Sequence, residues 1–359
     1  MNILIDIGHP GHVHFFKNFI WEMEKKGHKI IVTARKKDVI EDLLNHYKID
    51  FIFRGEIKKS TINKAINMPK ISLKLAGLIK KNKIEYSMGI LNPYVSQSAS
   101  LTGQKSFIFS DTEHAKLANR ITIPFCNQVL TPSCFNGNLG SKHIRYKGYH
   151  ELAYLHPNRF NPDSSVLDGL QMNKEDRFVI IRFVSWGASH DIGQKGISDE
   201  NKIRLVEGIK KHAIPLITSE GKIPNKLQKY KIKIPPHMIH DAMFYSNMYI
   251  GEGATMASEA AVMGTPSIFI HPMAGIFGTT KEQSERYNLL MNMRHFNLAE
   301  LEDIIKKNIN KKSEWKRRKK KMLKERIDVT SFIIWFVENY PESEKTMKVN
   351  NDNQLKFLN

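Results

Sequence analysis

The stretch from Asn247 to Ile270, NMYIGEGATMASEAAVMGTPSIFI, leaves few folds open to this chain. A short apolar run ends at Gly251 and Gly253, Thr255 stands where a helix can start, Gly264 stops that helix, and Pro266 opens a second apolar run. The pattern is strand, turn, helix, strand, the repeating unit of a parallel sheet. Glycines at such a turn bring backbone N–H groups within reach of a ligand at the positive end of the helix. The amides around Gly251, Gly253 and Ala254, with the hydroxyls of Thr255 and Ser258, suit the phosphates of a nucleotide diphosphate, and the Glu259 carboxylate suits its ribose. The same spacing also fits an ordinary sheet unit in which Glu259 faces water.

A chain of 359 residues, 41% hydrophobic and 25% charged, has the length and mixture of two globular domains. Its 55 basic against 36 acidic residues, a formal charge of +19, favour anionic partners such as nucleotides, lipid headgroups or nucleic acid without choosing among them. Cys126 and Cys134 are too few for a secreted disulfide framework and read as free thiols of a reducing cytoplasm. The opening apolar run reaches only Ile5 before Asp6, and no later run approaches about 18 residues, so any membrane contact is expected to be peripheral.

The first half alternates strand and helix: Asn2 to Ile7, then Phe15, Phe16, Phe19, Ile20 and Met23 on one helical face, a strand at His28 to Ala34, a helix at Asp38 to Tyr47, and a strand at Asp50 to Phe53. Such alternation predicts a doubly wound parallel sheet with ligands beyond the carboxyl ends of its strands. The loop carrying His9, Gly11, His12 and His14 falls at one such end. No Asp, Glu or Cys clusters beside these histidines, so no metal is expected; one imidazole can instead take a proton from an acceptor hydroxyl, provided a carboxylate orients it. Asp111, after the apolar run Ser106 to Phe109, is the candidate partner; as an alternative it caps a helix starting at Thr112.

A polar, Gly- and Pro-containing passage from Cys134 to Gly169 marks the hinge. Beyond it Phe178 to Val184 reads as the first strand of a second sheet. Arg182 within that run needs an anion, either a ligand phosphate or an internal carboxylate such as Asp191. His237 and His240 lead into the glycine unit, one helical turn apart. The segment KRRKKKMLKER within Leu298 to Arg326 reads as a solvated basic face or a patch for anionic lipid; aromatic interleaving is absent, so nucleic acid is not the expected partner. Val329 to Tyr340 is apolar enough to pack, and the polar end from Glu342 is expected to fray.

The stretch IHDAMFYSNMYIGEGATMASEAAVMGTPSIFI resembles the donor-nucleotide motif of GT-B glycosyltransferases and of the non-hydrolysing UDP-GlcNAc 2-epimerases. GHPGHVHFFKNFI and NPYVSQSASLTGQKSFIFSDTEHAKLANRI are similar to segments of the peptidoglycan GlcNAc transferase, with Pro10 replacing a glycine of its first loop; the Arg-Pro-Glu motif of the epimerases is missing. Over nearly its full length the chain looks like a prokaryotic family, with archaeal members, grouped beside these GT-B enzymes. The resemblance implies an α/β GT-B fold: two Rossmann-like, doubly wound parallel-sheet domains facing across a cleft. The acceptor domain would span residues 1–155 and the nucleotide-sugar domain 170–328. A helix at 329–341 would cross back to the first domain, leaving a frayed tail at 342–359.

The resemblance further implies a cytoplasmic, metal-independent transferase that moves a sugar from a nucleotide diphosphate, with UDP foremost, to a hydroxyl acceptor that includes lipid-linked ones. The nucleotide sugar is substrate, and no cofactor is implied. His12, aligned through Gly11, would be the base, with Asp111 behind it and His9 and His14 as alternatives. Glu259 would hold the ribose, while Arg182, Ser185 and the amides near Gly187 would meet donor phosphates. A nucleotide-sugar epimerase and a non-catalytic basic binding protein stand as the competing readings.

Overall fold

The computed structural model of the chain describes residues 1–36, 39–55, 61–185 and 196–358. The chain divides into two compact units, Met1–Tyr154 with Ile327–Asn359, and Leu155–Arg326. Among the described residues no helix is long and apolar enough to cross a membrane.

The first unit is built on seven strands: β1 (Asn2–Ile7), β2 (Lys29–Ala34), β3 (Phe51–Phe53), β4 (Tyr86–Ile90), β5 (Lys105–Phe109), β6 (Gln128–Pro132) and β7 (His143–Tyr146). Their order is β3-β2-β1-β4-β5-β6-β7, and every pairing is parallel. Continuous apolar runs such as Ile3 to Ile5 are buried because helices cover both faces of such a sheet. Strand order reverses between β1 and β4, so the crevice beyond these two strands is the topological switch point, where doubly wound sheets take ligands.

A charged residue fixes that point. Asp6 is fully buried in β1, paired in register with Thr33 on β2 and Gly89 on β4. Its carboxylate accepts from Thr33 Oγ1 at 2.7 Å and Asn92 Nδ2 at 2.5 Å, and ion-pairs with Arg54 Nε at 2.7 Å. Asn92 also caps the helix Pro93–Thr102. A side chain on Gly89 would stand 2.9 Å from Asn92 Cβ, so glycine there lets the cap fold back onto Asp6.

The second unit holds β8 (Phe178–Phe183), β9 (Ile214–Ser219), β10 (Met248–Gly251), β11 (Ser267–Ile270) and β12 (Leu290–Met293) in the order β12-β11-β10-β8-β9, again all parallel. Val179, Ile181, Ile217, Ile250 and Ile268 form the heart of its core. Here the switch point falls between β8 and β10, beyond Phe183 and Gly251.

After Arg326 the chain returns to the first unit. The helix Val329–Glu338 buries Phe332, Ile333 and Phe336, sets Phe336 against Phe107, and places Glu338 on Lys26 at 2.7 Å. The end of the chain does not fray as expected. Glu342–Val349 is helical, Phe357 packs on Phe332 and Trp335, and the fully buried Gln354 accepts from the Lys147 N–H at 2.6 Å. Ser343 and Met347 are buried as well, and Asp352 pairs with Lys147 at 2.5 Å, so a few apolar and polar anchors within a polar stretch dock it.

In the basic helix Lys312–Leu323, Trp315 is buried and donates to the Leu289 carbonyl at 2.9 Å. Lys312 reaches the Phe244 and Ser246 carbonyls, and Lys316, Arg317, Lys320 and Lys321 are exposed on the opposite face.

Candidate functional site

In the first unit the loop after β1 leads into the helix Pro10–Lys25, and its three histidines diverge. His9 is the N-cap, its Nδ1 accepting from the Gly11 N–H at 3.2 Å. His14 turns into the core, stacked on Tyr154 with ring centroids 5.5 Å apart. His12 stays at the strand end and is partly exposed; its Nδ1 accepts from the Gly8 N–H at 3.3 Å. Burial, and then the neighbouring His9 and His150, hold its pKa well below the ordinary 6.5, with Asp111 pulling the other way. His12 is therefore neutral near pH 7.

The carboxylate expected behind His12 is bonded elsewhere. Asp111 Oδ2 lies 3.2 Å from Nδ1 of His150, a residue beyond β7 that the sequence reading did not single out. Nor is Asp111 a helix cap, since the next helix runs Lys116–Thr122 from Ala115. His150 is 7% exposed, its ring 4.7 Å from that of Phe15, one helical turn beyond His12. Its Nε2 is buried and, among the described residues, has no hydrogen-bond partner. Burial by itself would raise the Asp111 pKa; the His150 charge and hydrogen bond, with the bond from Thr112, overcome that and hold it far below the usual carboxylate range.

A folded pKa below the unfolded one means that the unfolded chain takes up this proton first. The stability contributed is complete above about pH 4, the unfolded value, and is lost as pH falls toward the folded one. Asp111→Asn is expected to flatten the acid limb of urea midpoints measured between pH 5 and 2.5; identical limbs would show that the pair contributes nothing there.

In the second unit the glycine turn and its helix form as read, with different local reasons. The helix runs Ala254–Met263 and is capped by Gly253, so Thr255 lies inside its first turn. A Cβ on Gly251 would collide with Tyr249 Oη and stand 2.8 Å from Arg182 Cβ, so the space beside this glycine is filled by the protein itself. Ser258 is buried and accepts from Gln283 Nε2 at 2.7 Å. Glu259 is 4% exposed, and its Oε1 lies 3.0 Å from Nε2 of the equally buried His240.

Arg182 has an internal carboxylate, but not Asp191, which lies outside the described residues. The parallel register sets Arg182 beside Thr218, and the guanidinium bonds Thr218 Oγ1 at 2.9 Å and Glu220 at 2.6 Å. Ser185 donates its N–H to the same Glu220 at 3.4 Å, and Gly187 is outside the described residues. Glu252 was also missed. Buried inside the turn, it accepts from the Val184 N–H at 3.3 Å and the Ile197 N–H at 2.7 Å, tying the β8 and β10 ends together at the switch point.

Solved structures of low sequence identity share this architecture. The spinosyn rhamnosyltransferase SpnG complexed with spinosyn aglycone is 10% identical with a TM-score of 0.60, covering 94% of this chain and 100% of its own. The UDP-GlcNAc 2-epimerase from Neisseria meningitidis bound to UDP-GlcNAc is 12% identical with a TM-score of 0.62, covering 89% and 94%. The two Rossmann-like parallel-sheet units are thus a GT-B fold. In sequence, the uncharacterized protein MJ0665 of Methanocaldococcus jannaschii is 22% identical over 326 residues, 87% of this chain and 93% of the relative. Residues 1–342 match the family model described as Protein of unknown function (DUF354), and the chain belongs to that family.

Proposed function

We propose that this chain is a GT-B enzyme of nucleotide-sugar chemistry that moves a sugar from a nucleoside diphosphate, UDP foremost, to a hydroxyl acceptor. The observation that carries this reading is the buried Glu259–His240 pair beside the glycine turn at the second unit's switch point. An ionised carboxylate beside a glycine turn suits ribose hydroxyls, from which it accepts hydrogen bonds. The adjacent helix start, capped by glycine, suits a diphosphate. In the first unit, the histidines and Asp111 at the strand ends supply groups for moving a proton. The exposed cations of the helix Lys312–Leu323 support contact with an anionic lipid surface, where a lipid-linked acceptor would reside.

Calorimetry with UDP, after a thermal-shift screen of nucleotide sugars, tests the donor half; a ligand that binds only the folded chain raises its melting temperature. Glu259→Gln, which keeps side-chain volume, is expected to weaken UDP about tenfold, the lower end for a hydrogen bond to a charged group. Undiminished affinity would remove Glu259 from the site. The fold shared with a UDP-GlcNAc 2-epimerase supports a second reading, nucleotide-sugar epimerisation. Incubation with donor alone separates the two, because only an epimerase alters the sugar without an acceptor.

A further inference from the structure

Two histidines of the first unit, His12 and His150, have opposite hydrogen-bonding constraints. At His12 a backbone N–H points at Nδ1, so that nitrogen must present its lone pair. A neutral imidazole carries one proton, which leaves His12 with an Nε2–H donor. At His150 the group facing Nδ1 is a carboxylate held ionised, which accepts only. In the neutral form of His150 the proton therefore sits on Nδ1, and Nε2 carries the lone pair. That Nε2 is the buried nitrogen without a hydrogen-bond partner among the described residues. Leaving such an acceptor unsatisfied costs about 1–3 kcal/mol, and buried orphans of this kind are uncommon enough to need a reason.

We propose that His150, oriented by Asp111, is the proton acceptor of the first unit, and that His12 works beside it as a neutral N–H donor. The assignment rests on the nucleotide-sugar reading for its substrate and on hydrogen-bond geometry for its roles. In the transfer step the acceptor oxygen bonds to the anomeric carbon, whose bond to the diphosphate oxygen breaks with its electron pair leaving on the nucleoside diphosphate. The hydroxyl proton passes to His150 Nε2, and Asp111 stabilises the resulting imidazolium. His12 Nε2–H is directed to an oxygen bearing negative charge, a task for which a neutral imidazole is suited. Phe15, packed on the His150 ring, fixes its plane.

The first test needs no substrate. In histidine-labelled protein at neutral pH, two-bond proton–nitrogen correlations report which ring nitrogen is protonated, and His12→Gln and His150→Gln assign the signals. The expected pattern is Nε2–H at His12 and Nδ1–H at His150; an Nε2–H tautomer at His150 overturns the proposal whatever the enzyme turns over.

The second test uses the nucleotide sugar chosen by the binding screen. His150→Gln is expected to lower kcat by about 10²–10⁴ with donor affinity unchanged, the usual span for a positioned acid or base. Imidazole added to His150→Gly should restore part of that loss. If His150→Gln fails to fold, Asp111→Asn serves: its amide can donate to Nδ1, reverse the His150 tautomer and lower kcat comparably. Wild-type kcat in a folded His150 or Asp111 variant refutes the assignment. Failure of every nucleotide sugar to bind would instead refute the proposed function and leave the tautomer result standing.

Discussion

Asp6→Ala is expected to cost about 3–5 kcal/mol of stability, a large part of what a domain of this size holds in reserve. The reason is Arg54. Its side chain is 3% exposed and lies against the Asp6 carboxylate, so truncating the acid leaves a guanidinium buried without its counter-charge. The loss spreads, because Thr33 and Asn92 donate to the same carboxylate and would keep buried donors without an acceptor. Urea unfolding followed by near-ultraviolet circular dichroism measures it, with the first unit's transition resolved from the second's, since a two-unit chain need not unfold in one step. Arg54→Met in the Asp6→Ala background should recover part of the loss, as removing both charges leaves none stranded. An Asp6→Ala transition within about 1 kcal/mol of wild type would mean that the switch point is held by packing alone.

That cluster also shows where the sequence stops being legible. Asn2 to Ile7 reads correctly as a buried strand from its apolar run, and the alternation of strands and helices gives the parallel sheets. Nothing local announces that Asp6, inside the run, needs Arg54, 48 positions away at the end of β3. The same limit explains Arg182. Its need for an anion follows from one strand, but its partner is chosen by the register of β8 against β9, which sets Thr218 alongside and brings Glu220 within reach.

The candidate site divides along the same line. Residues that share one turn, such as Gly251, Gly253 and Glu259, are recognisable together because a strand–turn–helix unit is a local object. Asp111 and His150 lie just beyond the ends of β5 and β7, strands separated by β6, and only the assembled sheet brings their side chains within 3.2 Å. His12 is visible by its place after Gly11, yet its role turns on the Gly8 N–H bond that fixes its tautomer. A backbone hydrogen bond of that sort has no sequence signature. His240 precedes the glycine turn closely enough to be noticed, but its bond to Glu259 depends on how the helices Ile239–Tyr245 and Ala254–Met263 pack.

Gly251→Ala separates two explanations of the glycine turn. If the residue is small so that a ligand can approach, alanine should weaken nucleotide binding and leave the fold intact. The packing predicts otherwise: the new methyl would meet Tyr249 Oη and stand 2.8 Å from both Arg182 Cβ and Tyr249 Cζ. Tyr249 is fully buried and Arg182 is tied to Glu220, so neither gives way cheaply. A loss near 3 kcal/mol, the upper part of the range for overpacking, is expected in the second unit's thermal or urea transition. Gly253→Ala is the control. Its backbone, at φ −96°, is one any residue adopts, and its nearest neighbour is Val184 Cγ1 at 3.5 Å, so its effect should stay within about 1 kcal/mol. Tyr249→Phe sharpens the test, because the Tyr249 hydroxyl is buried without a hydrogen-bond partner among the described residues and its removal should cost little alone. In that background the Gly251→Ala penalty should shrink without vanishing, since Arg182 Cβ still faces the methyl. A Gly251→Ala protein with wild-type stability and impaired UDP binding would return the glycine to the ligand and show that Tyr249 yields more readily than its burial implies.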